Sequence, residues 1–234
     1  MEQKLPRKYT SSIERKLVCG VGINDADYTF RITTRAWTDD SGVEHKATYW
    51  SCPMYLAWRN MIMRCHSKTF QAKNPTYLGC SVCEEWLRFS NFKAWMEQQD
   101  WQGKELDKDL LVLGNKVYSP ETCMFISSNI NSFLNMNSKN RDKVPLGVQK
   151  AYNGFVAWCR NPLEKKAEYL GLHKTSTEAH HVWLKRKQEF ALMLADTQTD
   201  ERLAKSLKEI SEVFLKVYNE GGVFTGFTLK EEVK

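Results

Sequence analysis

The spacing of apolar residues changes period several times along the chain. After Cys52-Pro53, residues Tyr55, Trp58, Met61 and Ile62 recur at helical spacing, which predicts a helix. Trp86, Phe89, Phe92, Trp95 and Met96 form a second helical stripe. Aromatic residues at that spacing read as a core face, with a base-stacking surface as the other use of the same pattern. Ala179, Val182, Trp183, Phe190 and Leu194 mark a helix reaching about Asp196, opened by the capping-box pair Thr175 and Glu178. Leu203, Leu207, Ile210, Phe214 and Val217 mark a last amphipathic helix from about Asp200 to Tyr218, stopped by Gly221-Gly222.

Between these helices the pattern is that of strands and turns. Leu17–Ile23 and Tyr28–Trp37, with turns at 24–27 and 39–42, predict a small N-terminal hairpin. Leu106–Leu113, a loop through Tyr118–Thr122, Cys123–Ile126 and a helix from Ser127 or Ser128 to Leu134 predict the order strand, loop, strand, helix. Residues 135–143 are polar and aperiodic and read as a linker. Three strands follow, Leu146–Ala151, Phe155–Arg160 and Ala167–Leu172, the first two joined by the tight turn Tyr152-Asn153-Gly154. Alternation places Phe155, Ala157 and Cys159 on one face and Trp158 and Arg160 on the other. The fold class expected is α+β, with parts at 1–134, 144–195 and 196–234 on either side of the 135–143 linker. The last residues, from Val223, read as a loose strand.

Composition narrows the function classes. The 234 residues are 42% hydrophobic and 26% charged, which is ordinary for a globular chain. No apolar run approaches the roughly 18 residues of a membrane span, and no apolar run of signal-peptide length follows the basic N-terminus. Seven cysteines in that context predict thiols or metal ligands rather than disulfides. The net charge of +6 is localised: residues 135–195 hold 11 Lys and Arg against 5 Asp and Glu. A concentrated basic segment is the footprint of a polyanion, nucleic acid above all, or else a solubilising face.

Three runs carry a first resemblance: AWRNMIMRCHS (57–67), YLGCSVCEEWLRFSNF (77–92) and LDKDLLVLGNKVYSPETCMFI (106–126). Together they resemble phage-encoded H-N-H homing endonucleases, whose core is the ββα-metal or His-Me finger. The resemblance implies a divalent ion, Mg²⁺ or a similar metal, that polarises the scissile phosphate. Asp107 matches the family's acidic metal ligand. Lys108 stands where the family has its general-base histidine; protonated at neutral pH, it supplies charge rather than proton abstraction. Asn129 and Asn131 match the helix ligand position. The family also implies a structural zinc, for which Cys80 and Cys83 have knuckle spacing and Cys65 and Cys123 complete a set of four, with Cys52 and His66 as alternatives.

GVQKAYNGFVAWCR and AEYLGLHKTSTEAHHVW carry a second resemblance, to the AP2-type DNA-binding domain. It implies a three-stranded sheet laid in the major groove of double-stranded DNA with a helix behind. Gln149, Trp158, Arg160 and Tyr169 would face the bases. Lys150, Lys165, Lys166 and Lys174 would contact phosphates, with Tyr152 as a further DNA-binding candidate. His180 and His181, adjacent on a helix, point apart. The function expected is a DNA-binding, metal-dependent endonuclease of homing type in the host cytoplasm. The alternatives are a non-cutting DNA-binding regulator on the same fold, or a protein-binding module acting on a host enzyme.

Overall fold

A computed structural model describes residues 15–33, 37–45, 48–136 and 144–227. The fold is mixed α+β with small sheets. By internal contacts the chain forms two compact units interleaved in sequence. One is Met1–Trp101 with Lys116–Cys123; the other is Gln102–Asn115 with Met124–Lys234.

In the first unit, β1 (Arg31–Thr33), β2 (Trp37–Thr38), β3 (Glu44–His45) and β4 (Thr48–Ser51) form two antiparallel pairs, β1 with β4 and β2 with β3. The expected strand Leu17–Ile23 is instead a tight turn closed by a single Val18–Gly22 bridge. Helix α1 (Pro53–His66) begins with proline at its first turn, where a missing N–H costs nothing. Helix α2 (Lys68–Lys73) follows, capped by Ser67. Strand β5 (Ser81–Val82) and helix α3 (Phe89–Met96) complete the segment. The aromatic stripe is core, as its spacing predicts: Trp58, Phe89 and Phe92 are fully buried, and the Trp58 indole donates to the Trp86 carbonyl at 2.7 Å.

The second unit begins with β6 (Lys104–Asp107). Strand β7 (Val117–Tyr118), which belongs to the first unit, pairs parallel with β5. Strand β8 (Met124–Ser127) pairs antiparallel with β6 and leads into α4 (Ser128–Leu134), capped by the Ser127 hydroxyl. Strand, loop, strand and helix therefore occur in the expected order, with the first strand ending at Asp107 instead of Leu113. Most of the 135–143 linker, 137–143, lies outside the described residues.

Strands β9 (Val148–Ala151), β10 (Gly154–Arg160) and β11 (Ala167–His173) form an antiparallel sheet with β10 central. Helix α5 (Ser176–Asp196) opens with the full Thr175/Glu178 capping box and packs on this sheet. A four-residue connection leads to α6 (Glu201–Asn219), capped by Asp200. The stripe Leu203, Leu207, Ile210 and Phe214 joins Phe190, Ala191 and Leu194 of α5 in one core with Ile126, Ile130 and Phe133. The strand expected from Val223 is absent over 223–227, where Phe224 and Phe227 instead pack on Phe214; 228–234 lies outside the described residues. Gly147 sits so close to Trp183 that a Cβ would lie 2.0 Å from the indole, so only glycine permits this approach.

Candidate nucleic-acid interface

The three-stranded sheet sorts its side chains by chemistry. Cross-strand partners share a face. Gln149 pairs with Val156, Val156 with Leu172, and Trp158 with Tyr169, so these residues and Arg160 line the side away from α5. Val148, Ala157 and Cys159 line the other side and are buried. Outside, Trp158 is 37% exposed and Tyr169 58%, their rings meeting edge to face at 5.3 Å. The only carboxylate in the three strands, Glu168, pairs with Cys159 and so faces α5. Arg186 grips it with two hydrogen bonds, at 2.7 and 3.2 Å, and Asn161 adds a third at 2.8 Å. These bonds hold the Glu168 carboxyl below its usual pKa, Arg186 contributing most. The outer face is thus aromatic and cationic with no strand carboxylate on it.

The β10–β11 turn is built to present lysines. The Asn161 side-chain oxygen accepts the N–H groups of Leu163 (2.9 Å) and Glu164 (3.1 Å), an Asx turn. Lys165 adopts a left-handed backbone with φ of 60°. Lys165 and Lys166 are exposed, as are Lys174 and Tyr152 at the ends of the sheet. Lys150 pairs with Phe155 and so belongs to the α5 side in register, although it is exposed at the sheet edge.

The residues of the first resemblance are placed differently. Asp107 ends β6, and its Oδ1 accepts the N–H groups of Asp109 (3.0 Å) and Leu110 (2.8 Å). Burial, reinforced by the charge of Asp109, pushes its pKa up to about 6. Lys108 is 7% exposed. Its ammonium donates to Asp109 and to the Asn115 carbonyl, both at 3.0 Å, while the Asn115 amide returns a bond of 2.6 Å to the Lys108 carbonyl. Lys108 thus braces the 108–115 loop. Asp107 and Glu105 share one face of the β6–β8 pair, and Asn131 of α4 bonds to Glu105. Sequence reasoning passed over Glu105; its i, i+2 spacing from Asp107 on a strand is the signal that could have found it. Asn129 sits apart from this group, lining a cavity against α5.

Cys65 ends α1, Cys80 and Cys83 flank β5, and Cys123 follows the loop after β7. All four are free thiols, and Cys83 alone is not buried. Burial is the first cause of its raised thiol pKa. His66 Nε2 is buried without a hydrogen-bond partner. Among the described residues no three of His, Cys, Asp and Glu come together as a metal site.

Among the described residues no helix is long and apolar enough to cross a membrane. No family model matches the chain, and no curated protein or solved structure matches it significantly.

Proposed function

We propose that the chain binds double-stranded DNA through the outer face of β9–β11, in the manner its AP2-like sequence implies, in the cytoplasm of a phage host. One observation carries this reading. The sheet holds Trp158, Tyr169, Arg160 and Gln149 on one side and turns its only carboxylate, Glu168, to the other, where Arg186 neutralises it. Such a face meets a polyanion without repulsion and offers side chains that reach base edges. Arg160 is suited to guanine, and Gln149 to adenine. Lys165, Lys166 and Lys174 supply sequence-independent attraction to phosphates.

The test uses the full chain and short duplexes, followed by fluorescence anisotropy at low and moderate salt. Arg160→Ala is expected to weaken binding by about ten- to a hundredfold and to relax sequence preference, the range for losing a base contact. Lys165→Ala is expected to weaken all duplexes alike and to reduce the salt slope by about one. Absence of duplex binding at low salt, or full affinity in both variants, would overturn the proposal.

A second reading, phosphodiester cleavage by the H-N-H-like segment, is favoured by Glu105 and Asp107 sharing one face of β6, with Asn131 of α4 bonded to Glu105. Incubation of supercoiled DNA with Mg²⁺ or Mn²⁺ tests it. Under this reading the wild type nicks the DNA and Asp107→Asn, which keeps the side-chain shape, loses nicking while duplex affinity stays unchanged. A wild type that binds without nicking removes this reading and leaves the first intact.

A further inference from the structure

Helix α5 buries a lysine that plays no part in the outer sheet face. Lys187 is 6% exposed, and its Nζ donates to the Phe133 carbonyl at 2.6 Å. The ammonium lies 3.4 Å from the centre of the Phe133 ring and 5.8 Å from those of Trp183 and Phe214. These contacts are with neutral groups. Cys159, the one titratable neighbour acting on it, has a thiol pKa pushed up to about 11 by burial and carries no charge at neutral pH. A buried lysine without a carboxylate is rare, because desolvation of the ammonium is left uncompensated.

Lys187 also lines a cavity of about 270 Å³ lying between α4, the end of β10 and α5. That is near the lower end of the range for small-molecule sites and far more than one water needs. Its lining includes Lys165 besides Lys187, Arg160 at the end of β10, and Asn129 and Ser132 as neutral hydrogen-bonding groups. No Asp or Glu lines it among the described residues.

We propose that this cavity is a binding site for a phosphate monoester, its terminal phosphate held by Lys187 and Lys165. Two cationic side chains with no acid match a dianion better than a singly charged carboxylate. Asn129 and Ser132 supply donors for a group with three terminal oxygens. The phosphate compensates the buried ammonium, which has no counter-charge among the described residues. Two sources carry this chemistry: a free mononucleotide, or the phosphorylated end of a DNA strand. The proposal does not depend on duplex binding by the sheet face, because the mononucleotide arm contains no duplex.

The experiment is isothermal titration calorimetry on the full chain with four probes. Thymidine 5′-monophosphate is compared with thymidine, and a hairpin duplex with a 5′-phosphate is compared with the same hairpin ending in a hydroxyl. Binding of the monophosphate but not of thymidine supports the site with a soluble ligand. A preference confined to the phosphorylated hairpin supports it with a DNA end. In either case Lys187→Met is expected to weaken the phosphate-dependent binding by about ten- to a hundredfold, as for loss of one charge-assisted hydrogen bond. A cooperative denaturant transition, with a midpoint at or above that of the wild type, verifies that the variant is folded. Equal binding of phosphorylated and unphosphorylated probes, or undiminished phosphate-dependent binding by Lys187→Met, would overturn the proposal.

Discussion

At pH 7 the Lys187→Met variant is expected to be more stable than the wild type by about 2 kcal/mol, and the order should reverse by about pH 10.5. Burial pushes the pKa of Lys187 down to about 7 from its ordinary 10.5. Between those values the unfolded chain binds a proton that the folded chain does not, so wild-type stability rises with pH across the window. Each pH unit across that window is worth about 1.4 kcal/mol, and at pH 7 the folded group is half protonated, so desolvation costs about 4 kcal/mol, of which the Phe133 carbonyl left unpaired by methionine offsets about 2. Methionine fills nearly the same volume with no charge to desolvate, so it removes the pH dependence without opening a cavity. The difference between the two proteins cancels the titration of every group that they share. Denaturant midpoints at pH 7, 8.5 and 10 measure it, with amide exchange in α5 reporting on this unit directly. A constant difference across that range would mean that Lys187 keeps its charge in the folded protein.

The second large effect is expected at His180, which is fully buried. Its Nδ1–H donates to the Leu146 carbonyl at 2.8 Å, and its Nε2 accepts the Phe224 N–H at 3.0 Å. Those partners require the neutral ring, because a protonated imidazole has no acceptor for Phe224. The ring also stacks on Trp183 at 5.3 Å. One side chain therefore ties the chain before β9 and the segment after α6 to helix α5. His180→Ala removes this packing and orphans two buried backbone groups, a loss of about 3–5 kcal/mol.

Acid acts on the same contact. Burial lowers the pKa of His180 below 6.5. The unfolded chain takes up the proton first, so the contribution of the neutral ring is complete above pH 6.5 and declines as pH falls below it. The wild type should therefore lose more stability between pH 7.5 and 5 than His180→Gln, whose amide does not titrate. Equal losses in the two proteins would show that His180 is not the group responsible.

The division of labour between chain and fold is clearest in β10 and α5. Alternation alone decided which face of β10 each residue takes, because a strand sends successive side chains to opposite sides whatever surrounds it. Thr175 and Glu178 likewise start α5 through bonds made within four residues. The helical stripes of α1 and α6 were legible for the same reason, since their period is a property of the local backbone.

Burial on α5 was not local in this sense. Val182, expected on the apolar stripe, is 37% exposed, whereas His180 and Lys187 are buried. Periodicity states which direction a residue points, but not what lies there. Leu146, Phe133 and Phe224, 34, 54 and 44 residues from their partners, cover His180 and Lys187. The 108–115 loop behaves alike, for the acids and lysine that read as one short strand become a turn once Lys108 finds the Asn115 carbonyl. Sequence by itself determined the helices α1, α5 and α6 and the two-sided sheet β9–β11, because these follow from contacts a few residues apart. Only the tertiary structure decided that the Glu168 charge is hidden by Arg186 and that Lys187 is buried with no counter-charge among the described residues, because desolvation depends on every segment that closes over a group.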